Sequence, residues 1–218
     1  MTRSSKRSAT VRKSKGRISI LLVDDHPVVR HGYRLLLERD GTMKVVAEAG
    51  DAQAAYEAAV RCRPDVIVMD ISLPDCSGLD AIHRILSREP SSRILVFSIH
   101  ESPLLKTRAR ELGAMGYLTK RSMPGQMVEA VRLIAEGGRY YDLEPPEVED
   151  EPLNRLSNRE FEIFLLLAKG MSVNQIAELL HISRKTVGVH HTRIMHKTGA
   201  DSPAYLARLA IRHGLIQP

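Results

Sequence analysis

From residue 18 to residue 136, short β-branched runs alternate with segments in which apolar side chains recur about every 3.6 positions. The runs ISILLV (18–23), KVVAEA (44–49), DVIVMD (65–70), RILVFS (93–98) and GYLT (116–119) predict five strands. The segments 27–39, 52–62, 79–88, 103–112 and 124–136 predict the helices between them. Near-continuous apolar strands in strict alternation with helices mark a parallel sheet covered on both faces.

The pattern changes after residue 151. Only helical periods follow, and each is punctuated at its start and end. Ser157 with Glu160 and Ser172 with Gln175 form capping boxes, Ser183 and Ser202 are N-cap candidates, and Gly170, Gly199 and Gly214 are stop signals. Four helices are expected, the second and third joined by a turn of three residues, 181–183. A short turn followed by a basic helix suggests a helix-turn-helix.

Charge divides the chain further. Residues 1–17 carry a charge of +7, 18–141 balance at zero, 142–151 carry −6 and 152–218 carry +5. The Ser/Lys/Arg start lacks an apolar period and reads as a disordered tail, either a solubilising extension or an arm for DNA phosphates. Its composition also resembles an organellar transit peptide. The stretch DLEPPEVEDE combines prolines with one-sign charge, as linkers do. The expected division is a tail over 1–17, an α/β domain over 18–138, an acidic linker over 139–152 and an all-α domain over 153–218. Two cysteines, Cys62 and Cys76, fit neither a disulfide framework nor a zinc site, so a reducing cytoplasm is the expected setting. No apolar run approaches the roughly 18 residues of a membrane span, and the start lacks the apolar core of a secretory signal.

Ligands of open α/β sheets bind beyond the carboxyl ends of the strands. Those ends are polar here: Asp24 and Asp25 after the first strand, Asp70 after the third, Ser98 after the fourth and Lys120 after the fifth. In the flavodoxin-like order 2-1-3-4-5 of a doubly wound sheet, strands one and three are neighbours and three carboxylates converge. Their repulsion calls for a hard cation such as Mg²⁺. Lys120 offers a point charge and Ser98 a hydroxyl to phosphoryl oxygens. The combination suits phosphoryl transfer to a carboxylate. Singly, each residue is more simply a turn former, a loop hydroxyl or a solvated charge; the convergence carries the reading.

These residues, with Tyr117 and with Pro74 and Gly78 past Asp70, resemble the receiver domain of two-component response regulators. The resemblance implies that Asp70 is the phosphoacceptor and that Asp24, Asp25 and Asp70 hold Mg²⁺. It also implies that Lys120 and Ser98 read the phosphoryl group and that Tyr117 is a switch whose ring moves inward when Ser98 shifts. Ser72 and His100 occupy positions that influence phosphoryl lifetime in this family. The motifs LSNRE, KGMSVNQIAELLHIS, RKTVGVHH and RIMHKTG resemble the LuxR-type helix-turn-helix domain that the NarL/FixJ subfamily joins to a receiver. The ending LAIRHGLI resembles the GacA/UvrY branch, and LSNRE is similar to BvgA-like regulators.

On the third of these helices Val187 and Ile194 would face the core, with His190 or His191 between them. Arg184, Lys185, Gly188, Val189, Thr192, Arg193 and His196 would then face DNA. Gly188 and Thr192 stand where several family members carry long basic residues, which shifts readout toward contacts such as Val189 on a thymine methyl and Thr192 on a base edge. By family similarity the last helix, with Tyr205, Leu206 and Leu209 on one stripe, dimerises and implies a two-fold DNA site; packing within one subunit is the alternative.

The implied function is a phosphorylation-dependent DNA-binding transcription regulator. Its expected partners are a sensor histidine kinase or phosphotransfer protein, double-stranded promoter DNA and a second copy of itself. In this subfamily the resting receiver can cover the recognition helix, and the acidic linker is expected to compete with DNA for that helix. The rivals are a constitutive DNA-binding protein with a non-signalling receiver and an Asp70-nucleophile phosphohydrolase. Against the second, Ser72 stands where haloacid-dehalogenase-type phosphatases have a second aspartate.

Overall fold

The computed structural model describes residues 16–73, 78–141 and 152–216. Most of the basic tail, Pro74, Cys76 and the acidic stretch 142–151 lie outside the described residues. The elements run β1 (Ile18–Val23), α1 (Pro27–Glu38), β2 (Met43–Ala49), α2 (Ala52–Cys62), β3 (Val66–Met69), α3 (Gly78–Arg88), β4 (Ile94–Ser98), α4 (Pro103–Glu111), β5 (Gly116–Thr119), α5 (Pro124–Ala135) and β6 (Tyr140–Tyr141). A 3₁₀ turn (Pro152–Arg155) then leads into α6 (Asn158–Ala168), α7 (Val173–Leu179), α8 (Arg184–Thr198) and α9 (Pro203–Arg212).

All strand pairs are parallel, in the order β2-β1-β3-β4-β5-β6. The expected 2-1-3-4-5 order is present, with one strand added. Tyr140–Tyr141 pairs with Gly116 and Tyr117, and the Tyr141 hydroxyl donates to the Ala114 carbonyl at 2.7 Å. The linker expected over 139–152 is corrected accordingly, since 140–141 belong to the sheet and 152 begins the 3₁₀ turn. A two-residue strand has too few positions to show alternation in sequence.

Alternation along the longer strands sorts their side chains between two layers. Ile20, Leu22, Val66, Val68, Leu95, Phe97 and Leu118 pack under α1 and α5. Leu21, Val23, Ile67, Met69, Ile94, Val96 and Tyr117 pack under α2, α3 and α4. The second cluster continues without a break into the helical domain through Leu153, Leu156, Phe161 and Phe164.

In that domain the capping boxes form as the sequence predicts: Ser157 Oγ accepts from the Glu160 amide, and Ser172 Oγ accepts from the Gln175 amide. Glu160 is buried, yet its carboxylate accepts from the Ser157 amide at 2.9 Å and from Lys197 Nζ, on α8, at 2.6 Å. Burial alone would raise its pKa; Lys197 and Ser157 outweigh it and hold the carboxyl below its ordinary value. Its stabilising contribution is therefore complete above the unfolded-chain carboxylate value and lost as pH falls through the lower folded one. Glu160→Gln is expected to destabilise the helical domain by roughly 1–3 kcal/mol at neutral pH. Urea denaturation checks this, and the deficit should shrink as the pH is lowered toward that of carboxyl protonation.

Candidate functional site

Strands β1, β3, β4 and β5 end side by side, and the residues just beyond them meet. Lys120 Nζ donates to Asp24 Oδ2 at 2.5 Å and to Asp70 Oδ2 at 2.7 Å, with both carboxylates almost wholly buried. Burial works against the ammonium, but the two carboxylates prevail and raise the Lys120 pKa. The second oxygen of each acid is held by its own turn: Asp24 Oδ1 accepts from the His26 amide at 2.8 Å, and Asp70 Oδ1 from the Ser72 amide at 2.9 Å. From α1, Arg30 Nη1 donates to the Asp24 carbonyl at 2.5 Å and fixes the turn after β1.

Close packing also fixes the Asp70 turn. Gly78, the first residue of α3, lies so near it that a Cβ there would stand 2.4 Å from both the Asp70 carbonyl oxygen and Ile71 Cα. The family match at Gly78 thus has a steric cause.

Carboxylate oxygens of Asp24 and Asp25 and a ring nitrogen of His26 lie within 4.8 Å of one another. Asp25 Oδ1 is buried and makes no hydrogen bond of acceptable geometry, although His26 Nδ1 is 2.6 Å away. Hard oxygen donors with an unsatisfied oxygen among them fit a divalent cation of the Mg²⁺ type. Asp70 is not in this tight group. Its Oδ2 is held by Lys120.

Ser98 is fully buried and its Oγ accepts from the His100 amide at 3.2 Å. Tyr117 is fully buried as well, and its hydroxyl donates to the His100 carbonyl at 2.8 Å. Burial carries that hydroxyl far above its ordinary pKa, so it is a donor at any relevant pH. The ring expected to move inward is already inside. His100 therefore ties Ser98 to Tyr117, and its Nδ1 lies 3.2 Å from the carbonyl of Gly214, just past α9.

On α8, Val187 and Ile194 are fully buried, as their spacing predicts. Arg184, Lys185, Val189, Thr192, Arg193 and His196 are exposed, and Gly188 is half-buried. The reading face is thus open, contrary to the expectation that the receiver covers it. The domains meet elsewhere, through α3, α4, the 3₁₀ turn, α6 and the end of α9. Thr192 Oγ1 donates to the Gly188 carbonyl at 3.1 Å, so only its lone pairs are left for a base edge. Nothing lies within 4 Å of where a Gly188 Cβ would stand. Gly188→Ala is then expected to stabilise α8 by up to about 1 kcal/mol while weakening promoter binding, as a paired melting and DNA-binding titration would reveal.

The dimerisation stripe needs correction. Leu206 and Leu209 are buried in their own domain, whose α9 packs on α6, and Tyr205 is half-buried. An apolar stripe on a terminal helix looks the same in sequence whether it is covered from within or by a second copy. The outward positions of α9 are Pro203, Ala204, Arg208, Ile211 and Arg212.

Sequence reasoning missed His26, Arg30 and Arg108, the last of which acts on partners 45 and 48 residues away. The first two could have been sought as polar neighbours of the aspartate pair; nothing in the sequence distinguishes Arg108 from a solvated helix charge.

Residues 20–132 match the response regulator receiver domain, and residues 154–210 match the bacterial regulatory proteins of the luxR family. The response regulator UvrY of Escherichia coli K12 is 36% identical over 208 residues, covering 91% of this chain and 95% of that protein. The structure of RcsB from Salmonella enterica serovar Typhimurium, bound to a promoter in the presence of the phosphomimetic BeF3⁻, superposes with a TM-score of 0.71 at 26% identity, covering 88% of this chain and 98% of that one. A structure of two RcsB dimers bound to two parallel DNAs gives 0.58 at 26% identity, covering 88% and 97%. Carrying a receiver with its acidic cluster and lysine intact, followed by a luxR-family helical domain, this chain belongs to the response regulators.

Proposed function

We propose that this protein is a phosphorylation-dependent DNA-binding transcription regulator of a two-component system, acting in the cytoplasm. The meeting of Asp24, Asp70 and Lys120 at the strand ends carries the reading. An Asp70 oxygen attacks the phosphorus of a phosphohistidine on a sensor kinase or phosphotransfer protein. The P–N bond breaks, its electron pair stays on the imidazole nitrogen, and an acyl phosphate forms. Lys120 then faces the new phosphoryl oxygens, Ser98 supplies a hydroxyl to them, and the Ser72 amide keeps the carboxyl oriented. Asp24 and Asp25 would hold Mg²⁺, which when bound offsets the negative charge of carboxylates and phosphoryl oxygens. The same residues serve hydrolysis of that acyl phosphate, in which water attacks the phosphorus, Asp70 leaves as the carboxylate and inorganic phosphate is released.

On the DNA side, α8 enters the major groove. Arg184 and Lys185 suit phosphates, while Val189, Thr192, Arg193 and His196 are placed for base edges. A homodimer on a two-fold site is supported by the RcsB dimers on DNA. DNA footprinting of wild type and Asp70→Asn, with and without a small phosphodonor, tests the whole reading. Phosphodonor should lower the protein concentration needed for protection by about tenfold in wild type, roughly 1.4 kcal/mol, and leave Asp70→Asn unchanged. The open face of α8 favours a second reading, constitutive binding with an idle receiver. Equal protection with and without phosphodonor in wild type would establish it instead.

A further inference from the structure

Several arginines of the receiver meet an acid: Arg30 and Arg34 pair with Glu48, Arg63 with Glu89 and Arg132 with Asp40. Arg84 and Arg88, one turn apart on α3, do not. No carboxylate lies at ion-pairing distance from either among the described residues. Neutral groups hold Arg84 instead: its guanidinium lies 4.9 Å from the centre of the Tyr56 ring, and Nη2 donates to Gln53 Oε1 at 2.9 Å. Gln53 in turn donates from Nε2 to Glu57 at 2.7 Å, and so stands between the arginine and an acid of α2. The guanidinium is fixed without being neutralised, and most of its N–H donors stay uncommitted.

Like charges one turn apart work against a helix, so this pair calls for an anion from outside. Arg84 and Arg88 share an open surface depression with Tyr56, His83 and Ser87, the last two exposed. Arg84 also lines a second depression, which runs from α3 to the turn before α8 and is completed by Arg159, Leu180 and His181. Arg159 brings no free charge there, because its Nη1 is spent on the buried Glu162 at 2.5 Å. Two residues past His181, Ser183 caps α8, whose first residues Arg184 and Lys185 are exposed. The basic groups thus form one band, from Arg88 and Arg84 on the receiver through His181 to the start of the reading helix. Asp80, one turn before Arg84, is the acid that borders it.

We propose that this band is a second DNA-contacting surface: with α8 in the major groove, Arg84 and Arg88 of the receiver take up phosphates beyond the sequence that α8 reads. Held guanidinium forks without an internal acid suit phosphate oxygens, which can accept two N–H bonds from one arginine. A band that crosses from one domain to the other fits a run of phosphates better than a single small anion, and it is continuous with the face already assigned to DNA. Contacts of this kind add affinity and salt dependence without changing the preferred sequence. The inference rests on the proposed function for the placement of α8.

Anisotropy titrations of the unphosphorylated full chain on duplexes of unselected sequence, about 12 and about 36 base pairs long, roughly one and three helical turns, test the band between about 50 and 200 mM salt. On the long duplex, the double variant Arg84→Gln, Arg88→Gln should flatten the dependence of log K on log salt by about 1.8, so that its deficit against wild type shrinks about twelvefold across that range. On the short duplex, which leaves no phosphates for the receiver, the two should bind alike. Arg88→Gln by itself leaves the packing of Arg84 on Tyr56 untouched and should flatten the dependence by about 0.9. Asp80→Asn removes the bordering acid and should tighten binding about two- to threefold at the low-salt end. Wild-type salt dependence in both arginine variants on the long duplex, equal flattening on the two duplexes, or no gain from Asp80→Asn overturns the band. Arg184→Gln with Lys185→Gln checks the reading beneath it. If that variant keeps the wild-type slope, the placement of α8 fails together with the proposed function; a slope lowered there but not in the receiver variants condemns the band alone.

Discussion

Lys120→Met is expected to abolish phosphorylation by small donors and to destabilise the receiver by roughly 3–5 kcal/mol at neutral pH. Asp24 and Asp70 are each 2% exposed, and Lys120 Nζ is shared between them at 2.5 and 2.7 Å. Without it, two buried carboxylates face each other with no cation between them. Adding Mg²⁺ relieves the repulsion. The variant should therefore regain stability on titration with Mg²⁺, measured as the urea midpoint. The wild type should lose stability at alkaline pH. Because the Lys120 pKa is raised in the fold, its contribution is complete below the unfolded lysine value and is lost as pH rises through the folded one. A variant as stable as wild type without Mg²⁺ at pH 7.5 would show that the lysine does not neutralise this pair.

Gly78→Ala should damage the same site from behind. The added Cβ would lie 2.4 Å from the Asp70 carbonyl oxygen and from Ile71 Cα, both backbone atoms that cannot swing aside as a side-chain tip would. Either α3 retreats from the sheet or the turn after β3 shifts and carries Asp70 with it. Overpacking of this kind costs roughly 3 kcal/mol. Phosphorylation should fall even under conditions where the variant is fully folded, because the Asp70 carboxylate is aimed by that turn through the Ser72 amide. A labelling time course with acetyl phosphate, beside a urea melt, separates the two losses. Wild-type labelling and stability would mean that α3 can move without consequence.

Much of this site is legible because its parts are local. A strand end is marked by the close of an apolar run, and the residues just past it must lie at one edge of a parallel sheet, so Asp24, Asp70, Ser98 and Lys120 can be assembled on paper. The capping boxes at Ser157 and Ser172 are equally local, two side chains reading each other across three residues. Distant partners decide the remainder. Arg108 looks like any helix arginine until Leu153, Leu156 and Phe161 are brought to it from 45 or more positions away. The burial of Leu206 and Leu209 depends on α6, and the open face of α8 on where the domains touch. Periodicity shows that a helix has an apolar side, but not which body covers it.

The short strand β6 also bounds any separation of the two domains. Tyr140 and Tyr141 fasten the chain to the sheet margin, and ten residues separate them from Pro152. A tether of that length spans at most roughly 35–40 Å, which keeps the facing surfaces of the two domains at a mutual effective concentration on the order of millimolar. Their contact within one chain is therefore independent of how much protein the cell holds.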